Sequence, residues 1–107
     1  MNNNFGIYDN SFSEIIKELH KYSPIEKAVI FGSRAMGNYK KGSDIDIAVF
    51  GENFTYDMLV KLHSELNEEL PIPYFIDILH YETTENEEIK KHILSEGKII
   101  YTKNGRK

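Results

Sequence analysis

Three aspartates lie within apolar stretches of the sequence. Asp44 and Asp46 are one residue apart at the start of an Ile- and Val-rich run that ends at Phe50, and Asp77 stands inside a second apolar run, residues 74–79. Aspartate is depleted in β-strands and is rarely buried without a partner. Side chains two residues apart on a strand point to the same face, about 6.6 Å apart along the backbone. The first two carboxylates would therefore repel each other unless a cation lay between them, and hard oxygen ligands of this type suit Mg²⁺.

A glycine–serine pair follows the apolar run 28–31, and its serine lies eleven residues before the aspartate pair. Gly32 allows a sharp turn and the close approach of a ligand to the backbone. Ser33 adds a hydroxyl beside backbone N–H groups, an arrangement that binds phosphate. An ordinary strand-to-helix turn would have the same sequence, so the pair alone is a weak indication. Together with the aspartates it indicates a metal–nucleotide site.

Each of these assignments has a simpler alternative. Asp44 could merely cap the entry to a strand while Asp46 is exposed on an edge strand, although the flanking Ile and Val residues disfavour exposure. Asp77 could form a salt bridge or lie at the surface. Arg34 and Lys41 could assist in neutralising phosphate, and a solvated basic rim would explain them equally well. The four histidines share no spacing and are assigned no chemistry: His20, His63, His80 and His92.

The composition predicts a single globular domain. The chain has 107 residues, and its 40% hydrophobic and 28% charged content is ordinary for that class. No apolar run approaches the roughly 20 residues that span a bilayer, and the N-terminus lacks the features of a signal peptide. A net charge of −4 argues against a nucleic-acid-binding face, and the lack of cysteine favours the cytoplasm. We therefore expect one cytoplasmic domain over residues 1–107, with frayed ends at 1–10 and 102–107, that contacts neither membrane nor nucleic acid.

Hydrophobic periodicity and turn residues predict alternating helices and strands. Ser11 with Glu14, and Thr84 with Glu87, have the spacing of capping boxes. The predicted elements are a helix over 11–23, a strand over 25–31, a short helix over 33–37, a strand over 44–50, a helix over 55–70, a strand over 73–79, a helix over 84–97 and a candidate short edge strand at 99–101. The predicted class is α/β (α+β), with the order α-β-α-β-α-β-α in two layers around a small sheet.

Taken together, the motif residues resemble a known family. Their pattern is similar to that of the DNA polymerase β-like nucleotidyltransferase superfamily: Gly32, Ser33, Gly37, Ser43, Asp44, Asp46 and Asp77. Within that superfamily, the chain resembles the stand-alone minimal nucleotidyltransferases (MNT) from the first helix to Tyr101. The resemblance implies a two-layer fold with a small mixed β-sheet packed against helices.

The resemblance also implies roles for individual residues. The nucleotide-binding residues would be Gly32, Ser33, Arg34 and Ser43. The catalytic residues, which would also bind two Mg²⁺ ions together with ATP, would be Asp44, Asp46 and Asp77. Asp77 would in addition help to deprotonate the attacking hydroxyl. The metal ions would stabilise the entering and leaving oxygens of an in-line displacement.

The expected acceptor follows from chain length and from the resemblance. Because the predicted core accounts for the whole chain, we expect another protein to present the acceptor. The resemblance to MNT proteins implies an antitoxin that is encoded beside a helical HEPN-type toxin. It also implies transfer of AMP from ATP to a tyrosine of that toxin. Two alternatives stay open. One is a non-catalytic antitoxin that acts by binding alone, and the other is a nucleotidyltransferase for a small molecule such as an aminoglycoside, for which a homodimer could form the pocket.

Overall fold

Helices and strands alternate along the protein in the computed structural model, which describes residues 5–103. The elements are α1 (Asp9–His20), β1 (Lys27–Phe31), α2 (Ser33–Met36), β2 (Ile45–Phe50), α3 (Tyr56–Ser64), β3 (Ile76–His80), α4 (Glu87–Glu96) and β4 (Lys98–Thr102). A π-helical turn, Glu65–Glu69, continues α3, and a 3₁₀ turn, Tyr81–Thr83, leads from β3 towards α4. Within residues 5–103, no helix combines the length and the apolar character needed to cross a bilayer.

The four strands form one mixed sheet in the order β3-β2-β1-β4. Strand β1 is antiparallel to both β2 and β4, whereas β2 and β3 run parallel. The predicted fold class and the mixed sheet are therefore confirmed. The candidate strand at 99–101 is real and slightly longer, and it forms the edge next to β1.

Residue alternation divides the sheet into a core face and a second face. Ile45, Ile47 and Val49 of β2 are fully buried in the main core, which α1 and α3 also line. The even-numbered residues of β2 point the other way, as the alternation predicts. On that second face Ala48 packs with Val29, Phe31 and Ile93 of α4 in a smaller cluster. Helix α4 therefore covers part of the face on which the aspartates lie.

Both predicted capping boxes are wrong. Ser11 lies inside α1, which begins two residues earlier without a side-chain cap. Ser11 is buried, a position that suits a small side chain. Thr84 instead donates a hydrogen bond from its hydroxyl to the His80 carbonyl (2.7 Å), and the Asn86 side chain caps α4 by accepting from the Ile89 amide (3.0 Å). Local spacing could not show which side chain caps each helix, because each segment contains several side chains that can accept a hydrogen bond from a free amide.

Parts of the segments predicted to fray have regular structure or are buried. Ile7 is buried in the main core, and α1 begins inside the segment predicted to fray. At the other end, β4 includes Thr102. Residues 1–4 and 104–107 of the predicted frayed ends lie outside the described residues.

The Asn67 side chain explains how α3 meets β3. Its amide nitrogen donates to the carbonyls of His63 (3.0 Å) and Ile76 (2.8 Å), and its amide oxygen accepts from the Ile76 N–H (2.8 Å). The first of these bonds satisfies a carbonyl close to where the α-helix widens into the π-helical turn. The other two satisfy the outward-facing backbone of an edge strand, which would otherwise be unpaired. Asn67 thus fixes β3 immediately before Asp77.

A polar cluster lies where the end of α1 meets the π-helical turn. The Tyr22 hydroxyl donates a hydrogen bond to Glu65 Oε1 (2.5 Å), and Lys21 Nζ lies 3.2 Å from Glu18 Oε1. Desolvation, followed by the hydrogen bond with Glu65, raises the pKa of Glu18 above its usual value. Hydrogen bonds from Glu18 and Tyr22 lower the pKa of Glu65. Of the two carboxyl groups, that of Glu18 therefore holds a proton more readily.

Glu18→Gln is expected to change the pH dependence of stability. Because the folded-state pKa of Glu18 is raised, its contribution to stability is fully present at acid pH and is lost as the pH rises through that pKa. Glutamine is neutral at every pH. The melting temperature of the variant minus that of wild type should therefore be more positive at pH 8 than at pH 5, as measured by circular dichroism.

Glu14→Gln, on the same helix, is the matched control for the loss of one negative charge. A Glu18→Gln difference that stays constant between pH 5 and pH 8 would contradict the assignment of the raised pKa to Glu18.

Candidate active site

The three aspartates predicted from the sequence converge on the second face of the sheet. Asp46 and Asp77 are paired in register on the parallel strands β2 and β3. Neighbouring strands are about 4.8 Å apart, so in-register side chains on one face are direct neighbours. Asp44 directly precedes β2, two residues from Asp46. Asp44 and Asp77 are exposed and Asp46 is half-buried, so the cluster opens to solvent.

Electrostatic coupling follows from this arrangement. The pKa of Asp46 is raised, first by burial and then by the negative charges of Asp77 and Asp44, while His92 acts in the opposite direction. Like charges this close favour any cation that can come between them. The aspartates therefore form one electrostatic unit rather than three separate surface carboxylates.

Gly32 lies directly against this acidic cluster. The glycine has φ +77°, a left-handed conformation that residues with a Cβ rarely adopt, and a Cβ there would overlap Asp46 Oδ2. Its carbonyl accepts hydrogen bonds from the Ala35 and Met36 amides, which begin the short helix α2. Ser33, the first residue of α2, is half-buried at the same end of the sheet. The predicted glycine–serine turn and the aspartates thus meet at one place.

Arg34 holds the loop that leads into the aspartates. It is 2% exposed, and its Nε and Nη2 atoms donate to the Ser43 carbonyl (3.1 and 2.7 Å) while Nη1 donates to the carbonyls of Phe5 (2.8 Å) and Gly6 (3.3 Å). These bonds use most of the five N–H groups of a guanidinium. We therefore revise the prediction that Arg34 contacts nucleotide: its observed contacts position the residue before Asp44.

Ser43 is held from both sides. Besides the bonds from Arg34 to its carbonyl, its hydroxyl oxygen accepts from the Lys40 amide (2.8 Å). These contacts account for a serine at this position without a ligand, and its contact with nucleotide stays a prediction. The guanidinium lies between the rings of Tyr39 and Tyr74, 5.0 and 4.9 Å from their centroids. Tyr39 therefore packs on a buried cation in this structure.

The acidic cluster suits a hard divalent cation in charge and in ligand type. Within residues 5–103, however, no three acidic or histidine side chains are already arranged to hold a metal ion. Free carboxylates repel one another, and Mg²⁺ takes part of its coordination from water and from substrate phosphates. The aspartates are therefore suited to hold metal together with a phosphate ligand, rather than as a preformed protein cage.

One histidine belongs to the site, contrary to the sequence interpretation. The Gly32 amide donates a hydrogen bond to His92 Nε2 on α4 (2.9 Å). The sequence did contain one indication of this contact. His92 lies three residues after Ile89 and one before Ile93, a spacing that places His92 towards the buried side of the helix. The other three histidines make structural contacts: His20 with Tyr101, His63 with Phe75, and His80 with the Gly51 carbonyl.

With this geometry established, comparison with known proteins identifies the class. Residues 13–106 match the family described as polymerase beta, nucleotidyltransferase. The chain therefore belongs to this family of nucleotidyltransferases. No curated protein sequence matches the chain at a significant level.

Solved structures share the fold. A toxin–antitoxin complex with AMP-PNP has a chain that matches with TM-score 0.68 and 18% identity, over 90% of this chain and 74% of that chain. A tri-AMPylated Shewanella oneidensis HEPN toxin in complex with MNT antitoxin matches with TM-score 0.66 and 20% identity, over 87% and 71%. A toxin–antitoxin complex of MntA and HepT matches with TM-score 0.65 and 20% identity, over 87% and 71%. At these identities the comparison establishes a common fold.

Gly32→Ala is expected to disrupt the turn. The added Cβ would overlap the Asp46 carboxylate and would also force alanine into a backbone conformation (φ +77°, ψ −155°) that is essentially restricted to glycine, which by itself costs about 1–3 kcal/mol. Gly37 (φ +84°) and Gly42 (φ +85°) also have positive φ, but a Cβ at either meets no atom within 4 Å. Denaturant unfolding should therefore show a larger loss in the free energy of unfolding for Gly32→Ala than for Gly37→Ala or Gly42→Ala. Equal losses in the three variants would contradict the close approach to Asp46.

Asp46→Asn should stabilise the ligand-free protein at neutral pH. The substitution removes a half-buried carboxylate that is repelled by two others. Because the folded-state pKa of Asp46 is raised, the wild type regains this stability as the pH falls, so the gain in melting temperature should shrink between pH 7 and pH 4. Calorimetry on both proteins measures the difference. Asp57→Asn, on the exposed side of α3, is the control, and an equal gain there would contradict the explanation.

Proposed function

We propose that this protein is an Mg²⁺-dependent adenylyltransferase that transfers AMP from ATP to a tyrosine hydroxyl of a helical HEPN-type toxin, and so acts as its antitoxin. The observation that supports this most directly is the meeting of Asp46, Asp77 and the Gly32 turn at one end of the sheet. Family membership supports the reaction class. Fold neighbours that contain AMP-PNP in one case and an AMPylated toxin in another support the donor and the acceptor.

In this proposal the glycine–serine turn binds the triphosphate. The backbone N–H groups that follow Gly32, together with the Ser33 hydroxyl, donate to phosphate oxygens. Asp44, Asp46 and Asp77 would hold two Mg²⁺ ions, which when bound with ATP would offset the charges of both the phosphates and the aspartates. Arg34 contributes indirectly, because it fixes the residue that precedes Asp44.

The transfer itself would be an in-line displacement at the α-phosphorus. The acceptor oxygen bonds to the α-phosphorus while the bond from that phosphorus to the bridging oxygen of the β-phosphate breaks, and pyrophosphate leaves. Asp77 receives the acceptor proton in the proposed mechanism. Its position supports this role, since it is exposed on strand β3 while its partner Asp46 is half-buried.

The edge position of β3 also supports a macromolecular acceptor. No strand pairs with the outer side of β3 in the described sheet, so Asp77 can be approached from outside the fold. Phe75, two residues before it on the same face, is 51% exposed. We propose that the chain acts as one catalytic domain over residues 1–107 in a cytoplasmic hetero-oligomer with the toxin.

Radiolabelled ATP tests the proposal. The protein is incubated with Mg²⁺ and the helical protein encoded beside it, using ATP labelled at either the α- or the γ-phosphate. Adenylyl transfer should place the α-label, and not the γ-label, on the partner, and mass spectrometry should locate the added AMP on a tyrosine. Asp77→Asn should slow labelling by about 10²–10⁴-fold, the usual range for a lost general base.

Asp57→Asn is again the matched control and should label the partner at the wild-type rate. Tight binding and toxin inhibition without label would favour the binding module. Label on an aminoglycoside, with none on the partner, would favour a small-molecule acceptor. Transfer of the γ-label would exclude adenylyl transfer.

A further inference from the structure

His92 connects helix α4 to the glycine–serine turn. The Gly32 N–H donates to His92 Nε2 at 2.9 Å, and the imidazole packs edge-on against Phe31, with ring centroids 6.0 Å apart. A ring nitrogen that accepts a hydrogen bond must carry a lone pair, so the ring is neutral with its proton on Nδ1. The contact is thus a directed hydrogen bond supported by packing, not a chance proximity.

Helix α4 is itself firmly placed. Ile93, next to His92, is 2% exposed and packs with Val29 and Phe31 of β1. After the helix, Gly97 lies so close to the sheet that a Cβ would overlap Val29 Cγ1. The ring is therefore presented by a rigid element that is anchored on the strand leading into the turn.

The hydrogen bond from the Gly32 amide to His92 restricts the backbone conformation of Gly32, which as a glycine is otherwise permissive. Glycine at φ +77° has many alternatives, and only its contacts select one of them. The Gly32 carbonyl accepts from the amides of Ala35 and Met36, and its N–H donates to His92, so both peptide groups of the residue are held. Removal of the His92 contact would leave the Gly32 N–H without this partner and would take away one of the restraints on the turn.

Resting on the proposed function, the structure assigns His92 a positioning role: it holds the Gly32 peptide so that the turn presents Ser33 to the nucleotide phosphates. The Gly32 amide is then not a phosphate ligand, because it is already occupied. His92 acts on nucleotide through the turn and makes no bond with the reacting atoms.

Two substitutions separate the hydrogen bond from the packing. In His92→Gln the side-chain oxygen can replace Nε2 as the acceptor, whereas His92→Leu keeps an apolar contact with Phe31 and has no acceptor. Loss of one hydrogen bond corresponds to about fivefold to tenfold in an equilibrium constant. The Kd and KM for Mg·ATP should therefore rise about fivefold to tenfold in His92→Leu, with kcat within about twofold because the phosphate contacts act equally before and during the reaction. His92→Gln should stay within about twofold of wild type.

His63→Leu is the matched control. His63 also packs edge-on against a phenylalanine, Phe75, with ring centroids 5.7 Å apart, but it lies on α3 away from the turn. The same change there should leave the Kd for Mg·ATP unaltered. ¹⁵N NMR of the full chain supplies a readout that needs no nucleotide: His92 should show the Nδ1–H tautomer, and the Gly32 amide should shift in His92→Leu while it stays near its wild-type position in His92→Gln.

Each outcome bears on the assignment. A lower melting temperature in His92→Leu with unchanged Kd and KM would overturn the positioning role and leave a structural one. Tighter binding of Mg·ATP by His92→Leu would also overturn it, since His92 would then compete with phosphate for the amide. If wild type binds no Mg·ATP, the proposed function fails, while the Gly32 and His92 signals still decide whether the histidine holds the turn.

Discussion

The backbone register between β2 and β3 forces two carboxylates, Asp46 and Asp77, to lie side by side. Two like charges at about 4 Å near a protein surface repel by roughly 4 kcal/mol. Full burial of one Ile side chain contributes about 1.5–3 kcal/mol. On the same strands, Ile45, Ile47 and Ile76 are fully buried on the opposite face. The apolar face thus provides enough free energy to hold the register, and the charges remain in place for a cation to neutralise.

Polar side chains bound to backbone groups then set the details of the site. Arg34 holds the Ser43 carbonyl, Asn67 pairs with both backbone groups of Ile76, and His92 holds the Gly32 amide. Each bond acts next to a site residue, and each satisfies a backbone group that no ladder satisfies. The three anchors come from α2, the π-helical turn that follows α3, and α4, so the site depends on helices on both faces of the sheet. Arrangements of this kind position reacting groups more reproducibly than loops alone.

Much of the fold follows from local rules. Two-residue alternation correctly separated the aspartates from Ile45, Ile47 and the isoleucines of β3, because a strand has only two faces. Caps were predicted poorly. Thr84 and Ser11 have the right chemistry, but an acceptor caps a helix only where the first free amide lies, and tertiary packing sets that point. The family match supports the reaction class that the motif indicated. The motif could be recognised from the sequence because the glycine–serine turn and the aspartate pair are close in sequence and belong to adjacent strands.

The residue types and spacings of Gly32, Ser33, Asp44 and Asp46 were sufficient to indicate a metal–nucleotide site, because residues two apart on a strand share one face. That Asp77 lies beside Asp46 depends on the parallel pairing of β2 and β3, which the tertiary structure sets. The tertiary structure decided what Arg34 and His92 do. An arginine two residues after Gly32 and a histidine 60 residues after it have no local pattern that reveals their partners. Their roles depend on which backbone groups the packing of α1 and α4 leaves within reach, namely the carbonyls of Phe5 and Ser43 and the amide of Gly32.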